Sequence, residues 1–303
     1  MKILVTGGAG FIGSHILEKL IKEDCQVVVI DNLSTGVRGN IPSGVRLIEM
    51  DVCSDQLMHV FKAEKFDAVL HLAAQTMVPV SLKKPDYDAQ VNILGTLQVL
   101  EACRNTGVKR VVFSSTAATY GDTTCLPVVE QTPTIPTSFY GLSKLTVEKY
   151  LALYQQVYGL DYVVLRYANV YGERQGDGGE GGVVSIFTRL ISAGKSLTIF
   201  GDGGQTRDFI YAGDVANANY QALLTPHVNT VYNVSTKIET SVNELVAIFE
   251  QVAGKSVEKV CVPIRKGDIY RSMLSNDKAT GNLNWKPRME LAEGLRRTYQ
   301  SHK

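Results

Sequence analysis

Tyr140 and Lys144 stand four residues apart in Ser138-Phe139-Tyr140-Gly141-Leu142-Ser143-Lys144, in a chain that opens on Thr6-Gly7-Gly8-Ala9-Gly10-Phe11-Ile12-Gly13. On a helix, residues i and i+4 share a face, which would set the lysine ammonium beside the phenol. A free tyrosine, with a pKa of about 10, is a poor base near neutrality. A neighbouring cation and an oxidised nicotinamide both favour its phenolate. The pair therefore points to removal of an alcohol proton coupled to hydride transfer. Taken alone, Tyr-x-x-x-Lys is common and equally describes a helix with an exposed lysine and a half-buried tyrosine. The rest of the chain decides between these readings.

The glycine run satisfies Gly7-x-x-Gly10-x-x-Gly13 and Gly8-x-Gly10-x-x-Gly13 at once. Small residues there let the backbone approach a pyrophosphate at a helix N-terminus, where the free N–H groups around Phe11 and Ile12 and the helix dipole favour an anion. The run follows a predicted strand, precedes a predicted helix, and is followed by Asp31 at the end of the second strand, the context the motif requires. The Asp31 carboxylate can bond both ribose hydroxyls and would repel a 2′-phosphate, so the expected cofactor is NAD. Ordinary turn chemistry is the alternative use of Asp31-Asn32. Asp51-Val52, at the end of the third strand, fits an adenine contact, and a helix N-cap is an equal use of that aspartate. Leu72-Ala73-Ala74 is small enough to admit a cofactor, although small residues also permit close packing.

These residues need elements to hold them. Lys2–Thr6 reads as a strand and Gln26–Asp31 as a β-branched strand buried on both faces. Ile12, Ile16, Leu17, Leu20 and Ile21 recur at helical spacing between them. Further strands are predicted at Val45–Glu49, Ala68–Leu72, Val108–Phe113 and Tyr162–Arg166, and long helices at Asp86–Asn105 and Phe139–Tyr158. The β-α-β order implies an α/β fold, a Rossmann-type doubly wound parallel sheet, with a smaller mixed α/β substrate-binding domain. The expected division is 1–170 for the NAD-binding domain and 171–303 mostly for the substrate domain, with some segments returning to the first. In the second part, Glu173–Gly182 reads as a loop. Helices at Val183–Ala193 and Val242–Val252, a hairpin around Gly201-Asp202-Gly203-Gly204 and a strand at Val257–Val262 follow.

Bulk properties exclude several classes. The 303 residues are 45% hydrophobic and 20% charged with a net charge of +1, giving no reason to expect nucleic acid or an anionic membrane as partner. No apolar run approaches a bilayer span, and the chain enters a strand too early for a signal peptide. The five cysteines are scattered without a C-x-x-C pair, which suits reduced thiols in the cytoplasm. No metal-ligand spacing occurs, and His71 reads as a packed core residue.

The glycine loop, Asp31-Asn32-Leu33-Ser34, His71-Leu72-Ala73-Ala74, Phe113 to Gly121, Tyr140 to Lys144, Leu165 to Gly172 and Arg207-Asp208-Phe209-Ile210-Tyr211 together resemble the extended short-chain dehydrogenase/reductase family, in particular its nucleotide-sugar 4-epimerases. The resemblance runs across nearly the whole chain. It implies an enzyme that inverts C4 of a UDP-hexose with permanently bound NAD, through a transient 4-keto sugar. In it Tyr140 is the base, Lys144 also holds the nicotinamide ribose, and Thr116 partners the sugar's O4. Lys84 matches a cofactor contact, Asn92 a residue supporting the active site, and Asn169, Arg207 and Arg265 contacts to the diphosphate and sugar. A solvated charge remains the alternative for Arg265, and a polar residue on a helix face for Asn92. Ser272 matches the position that sets room around the sugar's C2 substituent, so N-acetylated sugars are expected to fit, unless the register slips to Arg271 or Met273. A homodimer is expected through the two long helices, with Val91, Leu94, Leu97, Leu145, Val147 and Leu151 as the apolar supply. The rivals are a nucleotide-sugar 4,6-dehydratase or decarboxylase and a non-catalytic NAD-sensing module. Ala117-Ala118 stands where family dehydratases carry an acidic pair, and sensing modules commonly lose the Tyr/Lys pair kept here.

Overall fold

The computed structural model describes residues 1–176, 182–264 and 269–302. The first part runs β1 (Lys2–Thr6), α1 (Phe11–Lys22), β2 (Gln26–Asp31), β3 (Arg46–Glu49), α2 (Leu57–Glu64), β4 (Ala68–His71), α3 (Val78–Lys83), α4 (Pro85–Ala89), α5 (Gly95–Thr106), β5 (Arg110–Thr116), α6 (Phe139–Tyr158) and β6 (Asp161–Tyr167). The second part runs β7 (Asn169–Tyr171), α7 (Val183–Ser192), β8 (Leu197–Phe200), β9 (Thr206–Arg207), β10 (Phe209–Tyr211), α8 (Ala212–Leu224), β11 (Thr230–Val234), β12 (Thr240–Ser241), α9 (Val242–Ala253), β13 (Lys259–Val262), α10 (Asp277–Asn282) and α11 (Leu291–Gln300). No helix among the described residues is long and apolar enough to cross a membrane.

Seven strands form one parallel sheet in the order β11-β6-β5-β4-β1-β2-β3. Its strands are continuous apolar runs because both faces are covered. Successive side chains alternate between the covers: Ile3, Val5, Val27 and Val29 join the core under α1 and α8, while Leu4, Val28 and Ile30 join the core under α2, α5 and α6. On α1 the apolar side chains buried in that core are Ile16, Leu17 and Leu20, each worth roughly 2 kcal/mol of burial. Ile21 falls on the outer edge of that stripe and is exposed. A third core lies in the second part of the chain, where Phe187, Ile191, Leu245, Phe249, Leu295 and Tyr299 join α7, α9 and α11.

Several predicted boundaries shift. The long helix expected from Asp86 is interrupted: α4 passes into a π-helical turn at Gln90–Leu94 before α5 begins. No hairpin forms around Gly201-Asp202-Gly203-Gly204; β8 pairs with β13 in parallel and β9 with β12 antiparallel. The seventh strand of the main sheet, β11, comes from far beyond residue 170 and lies beside β6. Val147 and Leu151, expected on a dimer surface, are fully buried against the sheet. The outward face of α6 instead exposes Leu142, Leu153 and Val157.

Candidate active site

The carboxyl ends of the parallel strands carry the site, as sheets of this kind dictate. At the end of β1 the chain turns through the glycines into α1, whose N-cap, Gly10, makes no side-chain cap. The first-turn N–H groups at Phe11, Ile12 and Gly13 have no intrahelical acceptor and are available to an anion. A Cβ at Gly13 would stand 2.2 Å from the Gly7 carbonyl oxygen, so only glycine lets the turn and the helix meet. Asp31, at the end of β2, is buried, and its carboxylate accepts from the Ala9 N–H (2.9 Å) and the Leu33 N–H (2.8 Å), which ties the glycine loop to the second strand. Asn32 donates to the Asp51 carboxylate (2.7 Å), which also accepts from the Cys53 N–H (2.8 Å). Partial burial pushes the Asp51 carboxyl up, but these hydrogen bonds outweigh it and hold the group below its ordinary value. The use of Asp51 as a helix cap is not realised, since α2 begins only at Leu57 behind Gln56. Val52 packs into the core, where its side chain faces Gly95. A glycine cradle a side chain would fill, beside a buried carboxylate at the end of the second strand, fits a dinucleotide.

Thr116 closes β5, and its hydroxyl accepts from the Ala118 N–H (3.1 Å) in the turn that follows. Helix α6 starts against that turn: a Cβ at Gly141 would lie 2.6 Å from the Ala118 carbonyl oxygen. Ser138 caps the helix by accepting from the Gly141 N–H (3.1 Å). This close approach brings the Tyr140 phenol to the neighbourhood of the Thr116 hydroxyl, which acts on its ionisation. Burial pushes the phenol up to about 12, the Thr116 hydroxyl works against that, and the Asp88 charge adds to it. Lys144 is 3% exposed. Its ammonium donates to the Ser114 carbonyl (3.0 Å) and lies 4.8 Å from the centre of the Phe113 ring, so its hydrogen bond goes to β5 and not to the phenol. Burial pulls it down to about 8, opposed by the charges of Asp88 and Glu148.

The sequence reasoning missed the polar web beneath this pair. The Asp88 carboxylate accepts from the amides of Gln75 (2.7 Å) and Asn92 (3.2 Å), and the Asn92 amide also donates to the Ser143 hydroxyl (3.0 Å). Ser143 in turn donates to the Tyr140 carbonyl (3.0 Å). One turn beyond Lys144, Glu148 accepts from the Arg166 Nε (3.0 Å) and from the Ser115 hydroxyl. The i, i+4 spacings Asp88–Asn92 and Lys144–Glu148 were the available signals.

The remaining predicted residues are more dispersed. Leu72, Ala73 and Ala74 follow β4 directly, the N–H groups of the first two donating to Thr6 Oγ1 (both 3.2 Å). Lys84 is exposed at the junction of α3 and α4. Asn169 and Arg207 are brought together, the Asn169 N–H donating to the Asp208 carbonyl (2.9 Å) next to Arg207. Ser272 is half-buried between Arg271, which pairs with Glu239, and Met273, whose carbonyl accepts from the Val128 N–H (2.9 Å). Arg265 lies outside the described residues. No group of metal-ligating side chains occurs among the described residues.

The sequence model of the NAD dependent epimerase/dehydratase family matches residues 3–235. A UDP-glucose 4-epimerase of Mycolicibacterium smegmatis is 38% identical over 306 residues, 99% of this chain and 98% of that protein. The crystal structure of a Thermotoga maritima UDP-glucose 4-epimerase with UDP-glucose superposes with a TM-score of 0.97 at 42% identity, covering 100% of this chain and 98% of that one. A UDP-N-acetylglucosamine 4-epimerase of Methanobrevibacter ruminantium, in complex with UDP-N-acetylmuramic acid, gives a TM-score of 0.95 at 36% identity over 99% of this chain and 97% of that one.

His71 yields a prediction about acid. Thr96 donates its hydroxyl proton to the Asn92 carbonyl (2.6 Å), so His71 Nε2 must donate to Thr96 (2.9 Å), leaving Nδ1 bare to accept from Thr6 (2.7 Å). Burial, helped by the Lys144 charge, pushes this imidazole from 6.5 down to about 3. The folded value lies below the unfolded one, so the stabilisation is complete above 6.5 and is lost as pH falls towards 3, by about 1.4 kcal/mol per pH unit. Urea unfolding across that window should show the parent losing stability more steeply than His71→Gln; parallel slopes would contradict the assignment.

Proposed function

This chain belongs to the NAD dependent epimerase/dehydratase family, and on that premise we propose that it inverts C4 of a UDP-hexose, interconverting UDP-glucose and UDP-galactose through a transient 4-keto sugar. The observation that carries the reading is the start of α6, with Tyr140, packed against the turn after Thr116 at the sheet edge that also bears the glycine cradle. Residues 1–170 with the returning strand β11 are assigned to the cofactor and most of 171–303 to the substrate. The glycine loop, Asp31, Asn32, Asp51, Val52, Leu72 to Ala74, Lys84 and Lys144 would hold NAD, which supplies a reversible hydride acceptor and a positive ring that favours phenolate.

Tyr140 takes the proton of the 4-hydroxyl and returns it to O4; C4 is inverted because the hydride that bound NAD would accept and give back reaches the other face of the keto carbon once the sugar has turned. Thr116 keeps that proton and O4 in hydrogen-bond register, as general acid–base transfer requires. Lys144 supplies the cation that offsets the phenolate. Arg207 and Asn169 are assigned to the diphosphate, and so, on the family resemblance alone, is Arg265, because a doubly anionic group needs cations and oriented donors. Ala117 and Ala118 leave the turn after Thr116 without a carboxylate for eliminating water, which disfavours the dehydratase reading. We assign the protein to the cytoplasm, where its free thiols are stable, and to galactose metabolism.

The purified protein is expected to carry NAD and to convert UDP-glucose to UDP-galactose without added reductant. Tyr140→Phe should keep cofactor and substrate binding while losing about 10²–10⁴-fold in turnover. Near-parental turnover in that variant, or strict dependence on external reductant with no epimer formed, would refute the assignment.

Two further expectations follow from surface and pocket. A serine at 272 leaves room for an acetamido group, so UDP-N-acetylglucosamine should also be epimerised, and Ser272→Tyr should abolish that activity while sparing UDP-glucose. Equal loss on both sugars would place Ser272 elsewhere. Tyr87 and Leu94, with Leu142, Leu153 and Val157 on α6, are exposed apolar side chains on the long helices, and a homodimer would cover them. Light scattering at micromolar concentration should give twice the chain mass; a monomer mass would exclude this contact.

A further inference from the structure

Lys144 presents an unsolved charge problem. An ammonium 3% exposed costs several kcal/mol unless an opposite charge offsets it. Its one hydrogen bond goes to a neutral carbonyl and its ring contact is to Phe113. Of the two carboxylates whose charge acts on it, Glu148 is already committed to Arg166 in a buried two-pronged pair. Asp88 is not. It is 1% exposed, and its carboxylate meets only neutral amides, those of Gln75 and Asn92. Its backbone N–H is fixed to the Lys84 carbonyl (3.1 Å) at the head of α4. The amide of Asn92 then reaches Ser143, the residue before Lys144.

We propose that Asp88 is the built-in counter-charge of Lys144, a positioning residue that keeps the lysine charged and, through Asn92 and Ser143, holds the first turn of α6 in register with it. The proposal deepens the reading given above, since it concerns the charge state of the residue assigned beside the base. The other titratable or charged groups around Lys144 are His71 on β4, Tyr140 and Glu148 on α6, and Tyr167 and Arg166 on β6. His71 is held neutral by its two threonines, and Glu148 and Arg166 offset each other. Asp88 is therefore the uncompensated charge in the set. Its field favours the protonated lysine and opposes ionisation of Tyr140.

Asp88→Asn removes the charge and keeps an acceptor for both amides. In the NAD-bound enzyme it should move the acid and alkaline limbs of the kcat/KM profile together to lower pH, by about one unit, because both the phenol and the ammonium lose protons more readily. A lower rate with unmoved limbs would reduce Asp88 to a structural clamp and overturn the proposal. A second readout needs no turnover. Lys144→Met strands the Asp88 charge, so the double variant Lys144→Met/Asp88→Asn should unfold at a higher urea concentration than Lys144→Met alone at neutral pH. An equal or lower midpoint for the double variant would sink the proposal even if Asp88→Asn by itself fails to fold. If no epimer forms with any variant, the functional reading fails while the unfolding comparison still decides the role of Asp88.

Discussion

Much of the carboxyl edge of the sheet is arranged around one costly requirement, an ammonium buried one helical turn from Tyr140. Water cannot solvate Lys144, so protein groups must do so, and each of those must itself be satisfied. The Ser114 carbonyl and the Phe113 face on β5, Asp88 on α4 and Glu148 on α6 come from three different elements. Their convergence fixes α6 against β5 and β6 more tightly than apolar packing alone would. Hydrophobic contacts such as Val147 and Leu151 tolerate small slides of a helix along a sheet, whereas the Glu148–Arg166 pair and the Asn92–Ser143 bond do not.

The same web reaches the cofactor cradle. Thr6, at the end of β1, accepts the N–H groups of Leu72 and Ala73 and donates to His71, which continues through Thr96 to the carbonyl of Asn92. The strand that launches the glycine loop and the helix turn that steadies the Tyr/Lys pair are thus joined by one chain of neutral hydrogen bonds. His71 must be uncharged for that chain to close, and burial keeps it so. The π-helical turn at Gln90–Leu94 contributes to the same end, since it places Asn92 where its side chain serves Gln75, Asp88 and Ser143 at once. Such turns are common where a helix must aim one side chain out of its regular series.

Periodicity and punctuation made the first part of the fold legible. The strand–glycines–helix opening, the β-branched second strand and the helix at Phe139–Tyr158 all carry strong local signals, and the structure reproduces that helix to its ends. The glycine spacing and the Tyr/Lys pair were legible for the same reason, because each is local. What escaped was non-local. Asp88 reads as one of several acids on a helix, and its burial follows only from Gln75 and Asn92 closing over it. β11 is a short run, Thr230–Val234, whose place beside β6 depends on a long return through α8. α8 is rich in alanine and asparagine and gives a weak apolar stripe, although Asn219 is buried where it meets the Tyr167 hydroxyl. The glycines at 201–204 suggested a hairpin by local turn chemistry, but the flanking strands found partners elsewhere in the chain.

The second part of the chain solves a different problem with short elements. Short elements have little rigidity of their own, so they need a base that does not drift. One buried carboxylate supplies that base. Asp208 accepts from the N–H (2.9 Å) and hydroxyl (2.7 Å) of Thr236, from the Lys237 N–H (3.1 Å) and from the Leu274 N–H (3.3 Å). Burial pushes its carboxyl above the ordinary value, and those donors offset that only in part. Three segments therefore hang from a single side chain: the β9–β10 corner with Arg207, the turn after β11, and the stretch that carries Ser272. The short pair β9 and β12 is thereby anchored close to its root. The rigid half of the molecule positions charge, and this half positions shape; Asp208 connects them, because β10 leads from it directly into α8 on the main sheet.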